Sequence, residues 1–371
     1  MEINFSTVIL LLLVSLELVT STNGVPPSDC SYDSKEHLTC HLSSINSMLE
    51  KTDFSVVPNA TLSLQVICRE SAIGALEPAG FGTLTNLQHL VIEGCNLRTL
   101  PTNAFLGLRS LKSLAIRTDS IDGLNLEVGA FNGLESLEML DLSRNGLAEF
   151  DSGLLCRLTS LQSLVLSSNK IGSELAVAAG CPSILSSLDL SANQITELEP
   201  HSLLSLPSLT SLNLDNNYIR YISAEVFTAS TQLNSLRLSN NQINHLPAGL
   251  FANVPLRELN LANNSLSALP VDIFKGRFDL EVLSLAGNIL MTRGLPSNLT
   301  VDLVNLLQLD LCHNQIKAVS TELLAPMVNL QTLKMCGNQL KAVVFPASLF
   351  NLATLDLSSN QLEILEVEAL L

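Results

Sequence analysis

The sequence predicts an α/β solenoid: about thirteen repeats wound into a horseshoe, with a parallel sheet on the concave side and an irregular or short-helical convex side. Two observations predict it. One pattern of Leu and Asn recurs at steps close to 24 residues along most of the chain, and self-similarity at such a period marks stacked repeats rather than a compact domain. The 371 residues are also 47% hydrophobic but only 4% aromatic, with no Trp. That composition suits a chain that reuses one aliphatic packing solution.

The first element, residues 1–23, reads as a secretory signal. Val8 to Leu16 form a short apolar block (VILLLLVSL), followed by the small and polar Thr20, Ser21, Thr22, Asn23 and Gly24. The length suits a signal h-region rather than a span, although MEIN lacks the usual Lys or Arg. Beyond it no run reaches the roughly 18 apolar residues of a membrane helix. Residues 24–62 then form an N-terminal cap carrying Cys30 and Cys40 in a polar stretch with little core of its own. A crosslink there fits an oxidising exterior. The tripeptides at Asn59 (NAT), Asn263 (NNS) and Asn298 (NLT) are glycan acceptors in the same setting.

Residues 63–371 are the repeats. LESLEMLDLSRNGL (134–147), LTSLQSLVLSSNKI (158–171), LPSLTSLNLDNNYI (206–219) and STQLNSLRLSNNQI (230–243) align on LxxLxLxxNx(L/I), the leucine-rich repeat signature. The ladder position falls at Cys95, Asp119, Asn145, Asn169, Asn193, Asn217, Asn241, Asn264, Asn288, Asn314, Asn338 and Asn360. Counting 24 back from Cys95 puts a first one at Ser71. LxL is a short strand whose two Leu point inward while the intervening residues face out. The Asn turns the chain inward, and its amide serves buried backbone groups that would each cost about 1–3 kcal/mol unpaired. Ten residues later come Phe81, Phe105, Leu155, Leu203, Phe227, Phe251, Phe274, Leu324 and Leu370, which close the convex side. No coil seals a core alone, so stability is collective.

Three segments depart from the period: DGLNLEVGAF after Asp119, GSELAVAAGCPSIL after Asn169, and ILMTRGLPSNLTVDLVNL after Asn288. They are read as surface loops rather than ligand sites. Cys312 and Cys336 stand 24 apart, each two before its ladder Asn. A bridge or two free thiols both satisfy that spacing. Cys156 and Cys181 occupy nearly matching convex positions and are read as a bridge. Cys68 and Cys95 fall at core or ladder positions and are read as buried thiols, with Cys68 alternatively joined to the cap.

The net charge of −16 argues against nucleic acid and anionic lipid as partners, since both are held by a surplus of Lys and Arg. DLS recurs at Asp141–Ser143, Asp189–Ser191 and Asp356–Ser358 as part of the repeat, so it is not a catalytic triad. The sequence contains no G-x-S-x-G elbow, P-loop, H-E-x-x-H or dinucleotide fingerprint. Its six His are scattered, which argues against a metal site. No enzyme and no cofactor are expected. What remains is a curved surface for binding. Its N-terminal end, with Ile67, Val91 and Ala115 beside Arg69, Glu93 and Arg117, is the best contact candidate. Tyr218 and Tyr221, just past Asn217, are a second.

The cap segments are more specific than the repeat. Cys30, LTCHLSSINS (38–47) and FSVVPNATLSLQVIC (54–68), followed by 24-residue repeats, resemble the ectodomain of Toll-type receptors, above all the long insect branch. The resemblance covers nearly all of the chain after the signal. It implies a cell-surface receptor for protein ligands such as cystine-knot cytokines, or for microbial surfaces, with a second receptor copy as a further partner. The roles it implies are innate immunity or developmental signalling. Such receptors continue into more repeats, a Cys-rich cap, a span and a signalling domain. Here QLEILEVEALL ends at Leu371 midway through a coil. The preferred reading is a truncated piece of such a receptor; the other is a secreted short form. The alternative functions are a secreted or adhesive repeat protein without signalling (a decoy or matrix component), and an intracellular scaffold.

Overall fold

The computed structural model describes residues 30–34, 36–42, 57, 59–68, 76, 78–118, 122–172, 184–203 and 206–366. The signal segment, Arg69, Asp119, Cys181 and Leu370 lie outside them. The chain divides into two compact units, Met1–Ile171 with Ala178–Leu185, and Gly172–Val177 with Ser186–Leu371.

In the first unit β1 (Cys30–Ser34) and β2 (His37–Leu42) form an antiparallel pair that sets the backbone of Cys30 opposite Cys40. β2 then runs parallel to β3 (Ser63–Cys68), so the cap supplies a starting strand to the repeat sheet. β4 (His89–Glu93), β5 (Ser113–Arg117), β6 (Met139–Asp141) and β7 (Ser163–Val165) follow in order, all parallel. The second unit repeats the plan with eight strands: β8 (Ser187–Asp189), β9 (Ser211–Asn213), β10 (Ser235–Arg237), β11 (Glu258–Asn260), β12 (Val282–Ser284), β13 (Gln308–Asp310), β14 (Thr332–Lys334) and β15 (Thr354–Asp356). Among the described residues the thirteen repeat strands, five and eight, agree with the roughly thirteen expected coils. Ser163–Val165, Ser187–Asp189 and Ser211–Asn213 each bury the central Leu and leave its neighbours half-exposed, as alternation requires.

Away from the sheets the backbone is mostly turns, with 3-10 segments at Ser152–Arg157 and Thr292–Gly294 and one helical turn at Thr321–Leu324. Buried aromatic rings fill this side. Phe81 stacks on Phe105 at 5.8 Å, Phe105 on Phe131 at 6.4 Å, and Phe227 on Phe251 at 6.2 Å, within the range favoured by offset rings. Phe131 takes its place in the row twelve residues after Asp119, so the two extra residues of that coil are absorbed before it. In the 3-10 coil Leu154 is buried and Leu155 only half-buried. The tighter winding shifts the inward residue one place forward from the expected Leu155.

The ladder Asn side chains knit coil to coil. Asn217 Nδ2 donates to the carbonyls of Leu190 (3.0 Å) and Leu214 (3.1 Å), while its Oδ1 accepts from the Ile195 N–H (3.1 Å). Asn264, Asn288, Asn314 and Asn338 repeat the pattern. Two further rows accompany it. The residue before each ladder Asn has positive φ: Arg144, Ser168, Ala192, Asn216, Asn240, Asn263, Gly287, His313, Gly337 and Ser359. Several of these donate to the next coil, as Asn216 N–H does to Ser239 O (2.9 Å) and His313 N–H to Cys336 O (2.7 Å). On the opposite edge of the second unit, Asn305, Asn329 and Asn351 donate to the carbonyls of Phe278, Val304 and Val328, each at 3.0 Å.

Candidate functional site

The first two repeats are spaced differently from the expected count. Gln65 faces Val91 across β3 and β4, a step of 26, and Ile67 faces Glu93. Ile67 therefore stands in line with Glu93 and Arg117 rather than with Val91, so the step between these two coils is 26 and not the expected 24. Strand pairing decides this register, and Ser71 holds no Asn to mark it.

The outward face of the first unit carries a row of charge. Arg117, at the end of β5, sits opposite Glu93 and reaches diagonally to Asp141 of β6. Its Nε and Nη2 both donate to Asp141 Oδ2, at 3.0 and 2.5 Å, and its Nη1 donates to Glu93 Oε1. The other Asp141 oxygen accepts the Ser143 N–H at 2.8 Å. Burial alone would lower the Arg117 pKa, but the hydrogen bonds and charges of Asp141 and Glu93 outweigh it and raise the value. One cation between two carboxylates leaves a net negative, pre-positioned row. A shallow hollow opens beside it, lined by Glu93, Arg117, Asp141, Arg144, Val165 and Ser167, among others. Ile67, Val91 and Val165 are half-buried and add apolar surface.

The same Asp-to-backbone bond accounts for DLS. Asp189 accepts from Ser191 N–H (2.8 Å), Asp310 from Cys312 (3.0 Å) and Asp356 from Ser358 (2.9 Å). The side chain caps the strand end, a structural use that recurs in both units. In the second unit Arg237 is likewise drawn to Asp215 (2.9 Å), whose other oxygen accepts the Ser239 N–H (2.6 Å). Tyr218 and Tyr221 are both more than half exposed. Tyr221 belongs to a two-residue strand paired with Glu197–Leu198, well away in sequence from the Arg117 row.

The cysteines require corrections. Cys68 and Cys95 are not thiols but a disulfide, with Cα atoms 4.8 Å apart. The 26-residue step makes Cys68 level with Gly94, so Cys95 lies only one residue beyond it. Cys312 and Cys336 are also bridged, which decides between the two states that spacing left open. Cys156 is disulfide-bonded. The side chains of Cys30, Cys40 and Cys181 lie outside the described residues. Coil stacking also brings Asp356 beside the Cys312–Cys336 bridge, with one carboxylate oxygen and the two sulfurs within 4.8 Å of one another. Among the acceptor tripeptides, Asn59, Asn263 and Asn298 are all exposed. Asn263 Nδ2 also donates to Asn240 Oδ1 at 2.9 Å.

The long segment after Asn288 serves its neighbours. Thr292 Oγ1 accepts the N–H groups of Lys317 (3.0 Å) and Ala318 (3.1 Å), and the Thr300 hydroxyl donates to Leu323 O (2.5 Å). Among the described residues no helix is long and apolar enough to cross a membrane.

Family models for the leucine-rich repeat match residues 124–171, 183–243, 207–256 and 255–276. Toll-like receptor 7 of Drosophila melanogaster is 37% identical over 115 residues, 29% of this chain and 8% of that protein. Among solved structures, the Toll–Spatzle complex of Drosophila aligns with 92% of this chain and 49% of its own at a TM-score of 0.71 and 24% identity. The TLR13–ssRNA13 complex aligns over 83% and 52% at 0.61 and 23% identity. The plant peptide hormone receptor RGFR1 with RGF2 aligns over 86% and 50% at 0.60 and 22% identity. The chain thus spans about half the length of these solved structures. The chain therefore carries leucine-rich repeats over the matched residues, folds as a leucine-rich repeat solenoid, and resembles the ectodomain of Toll-type receptors.

Proposed function

We propose that the chain is the ligand-binding part of an extracellular, Toll-type receptor ectodomain, acting by protein–protein recognition in innate immune or developmental signalling. The observation that carries this reading is the Glu93–Arg117–Asp141 row. It is a guanidinium held rigidly at the surface, flanked by the apolar Ile67 and Val91 and by an open hollow. Interfaces concentrate their energy in such fixed Arg and apolar anchors, and pre-positioning reduces the ordering cost of binding. Ile67, Val91 and Glu93 belong to the proposed contact surface, with Tyr218 and Tyr221 as separate contacts. The N-terminal apolar segment, the bridged cysteines and the exposed acceptors Asn59, Asn263 and Asn298 support an extracellular, glycosylated setting. The net charge of −16 favours a basic protein partner over nucleic acid.

The test is surface plasmon resonance of the secreted chain against Spatzle, the partner named in a similar structure, with a microbial cell-wall extract as a second probe. Saturable binding that falls at least tenfold in Arg117→Glu, with Tyr221→Ala as a comparison, supports the reading. Binding of neither probe, or equal binding by the Arg117 variant, counts against it.

A further inference from the structure

We propose that the outward face of the second unit holds a redox-gated site for a zinc-type divalent metal, built from Cys312, Cys336, His313 and Asp356. The two sulfurs and an Asp356 oxygen lie within 4.8 Å of one another. The His313 Nε2 stands 3.9 Å from Cys336 Sγ. Two sulfurs, one imidazole nitrogen and one carboxylate oxygen make four donors, the number and softness that suit tetrahedral zinc or cobalt rather than calcium or magnesium.

Three coils converge to make this set, and features of the backbone hold it. His313 has φ +55°, which aims its side chain along the ladder edge toward the next coil. Its ring lies over Gly337, where a Cβ would come within 2.4 Å of Nδ1. A side chain at 337 would push the ring out of that place. Asp356 is fixed by its bond from Ser358 N–H (2.9 Å), and the nearby Lys334 pairs with Asp310 (3.9 Å). The Cys336 N–H points at Cys312 Sγ (3.0 Å), where it would also stabilise a thiolate. The strand-end bond to Ser358 accounts for Asp356, whereas nothing in the repeat calls for His313 beside this disulfide.

Bridged, the sulfurs cannot serve as thiolate ligands, so the disulfide is the closed state. A phosphine opens it: one disulfide, one phosphine and one water give two thiols and the phosphine oxide. Binding of a divalent ion then releases the two thiol protons and leaves two metal–thiolate bonds.

The test uses the full secreted chain reduced with a water-soluble phosphine, titrated with cobalt(II) and followed by absorption and circular dichroism. The expected result is one cobalt per reduced chain, with thiolate-to-cobalt charge-transfer bands and tetrahedral d–d bands that zinc abolishes, and neither in the oxidised chain. Cys312→Ser/Cys336→Ser should lose the bands, while His313→Ala and Asp356→Ala should each bind at least tenfold more weakly. Cys68→Ser/Cys95→Ser should retain them, and differential alkylation of the unmutated chain identifies the opened bridge independently. Loss of the β spectrum on reduction, a folded reduced chain without bands, or bands that persist in Cys312→Ser/Cys336→Ser would each overturn the proposal.

Discussion

The Nε of Arg117 lies 3.0 Å from Oδ2 of Asp141, tying the last outward residue of one strand to that of the next, although the two are not register partners. Asp141 thereby does two jobs, since its other oxygen holds the Ser143 N–H. Asp141→Ala should lower stability by about 1–2 kcal/mol, chiefly through the lost strand-end bond. The half-exposed ion pair contributes less and is screened by salt. Asp141→Asn keeps an acceptor for Ser143 and should cost less than half as much. Urea denaturation at low and high salt would separate the two contributions, and equal losses for both variants would contradict the division.

Asn217→Ala strands the carbonyls of Leu190 and Leu214 and the N–H of Ile195. The expected loss is on the order of 3 kcal/mol, with water recovering part of three orphaned groups. Asn217→Asp keeps the acceptor but turns a buried carboxylate oxygen toward the two carbonyls, and should cost at least as much as Ala. Thermal unfolding measures both; a change below 1 kcal/mol in Asn217→Ala would show that the ladder is dispensable.

Leu212 is fully buried between the sheet and the turn layer of its coil. A carboxylate there is unpaired and costs several kcal/mol. Leu212→Asp should fail to leave the cell, as judged by immunoblot of medium against lysate. Normal export with a sharp thermal transition would refute this.

The positive-φ row gives a pair of opposite predictions. Ala192 sits at φ +54° with a Cβ, a conformation that costs an L-residue about 1–2 kcal/mol. Ala192→Gly should therefore stabilise, by up to about 1 kcal/mol after the entropy that Gly adds to the unfolded chain. Gly337→Ala should destabilise, through both φ +65° and the clash with the His313 ring. Differential scanning calorimetry gives both signs, and shifts in the same direction would invalidate the account.

Most of the architecture was readable because one step repeats. Inward Leu, ladder Asn and buried Phe each fill the same role in successive coils, so every copy supports the others. Reading failed where that step carried no mark. A two-residue slip preserves which side chains point inward, so Val66 and Cys68 point inward with a step of 24 or of 26, and the count of 24 met no conflict. That hid the alignment of Ile67 with Glu93 and the bridge from Cys68 to Cys95. The Asn305, Asn329 and Asn351 row has a visible signal that the sequence reading did not use, the recurring VNL, VNL and FNL (304–306, 328–330 and 350–352). His313 and Cys336 are 23 residues apart, and only the stacking of coils makes them neighbours. In the candidate site, residue types pointed to Arg117 and Glu93, but Asp141 resembled one more copy of DLS.

In the second unit, successive coils are fastened at both margins, by Asn288, Asn314 and Asn338 at one and by Asn305, Asn329 and Asn351 at the other. A single seam would let a coil swing about its strand like a page on a spine. Stitching at two edges removes that freedom and converts a sideways load into simultaneous shear on both rows. Drawn from its ends in a force spectrometer, this part should give way one whole turn at a time, in a sawtooth whose teeth are spaced by the contour length of a single repeat.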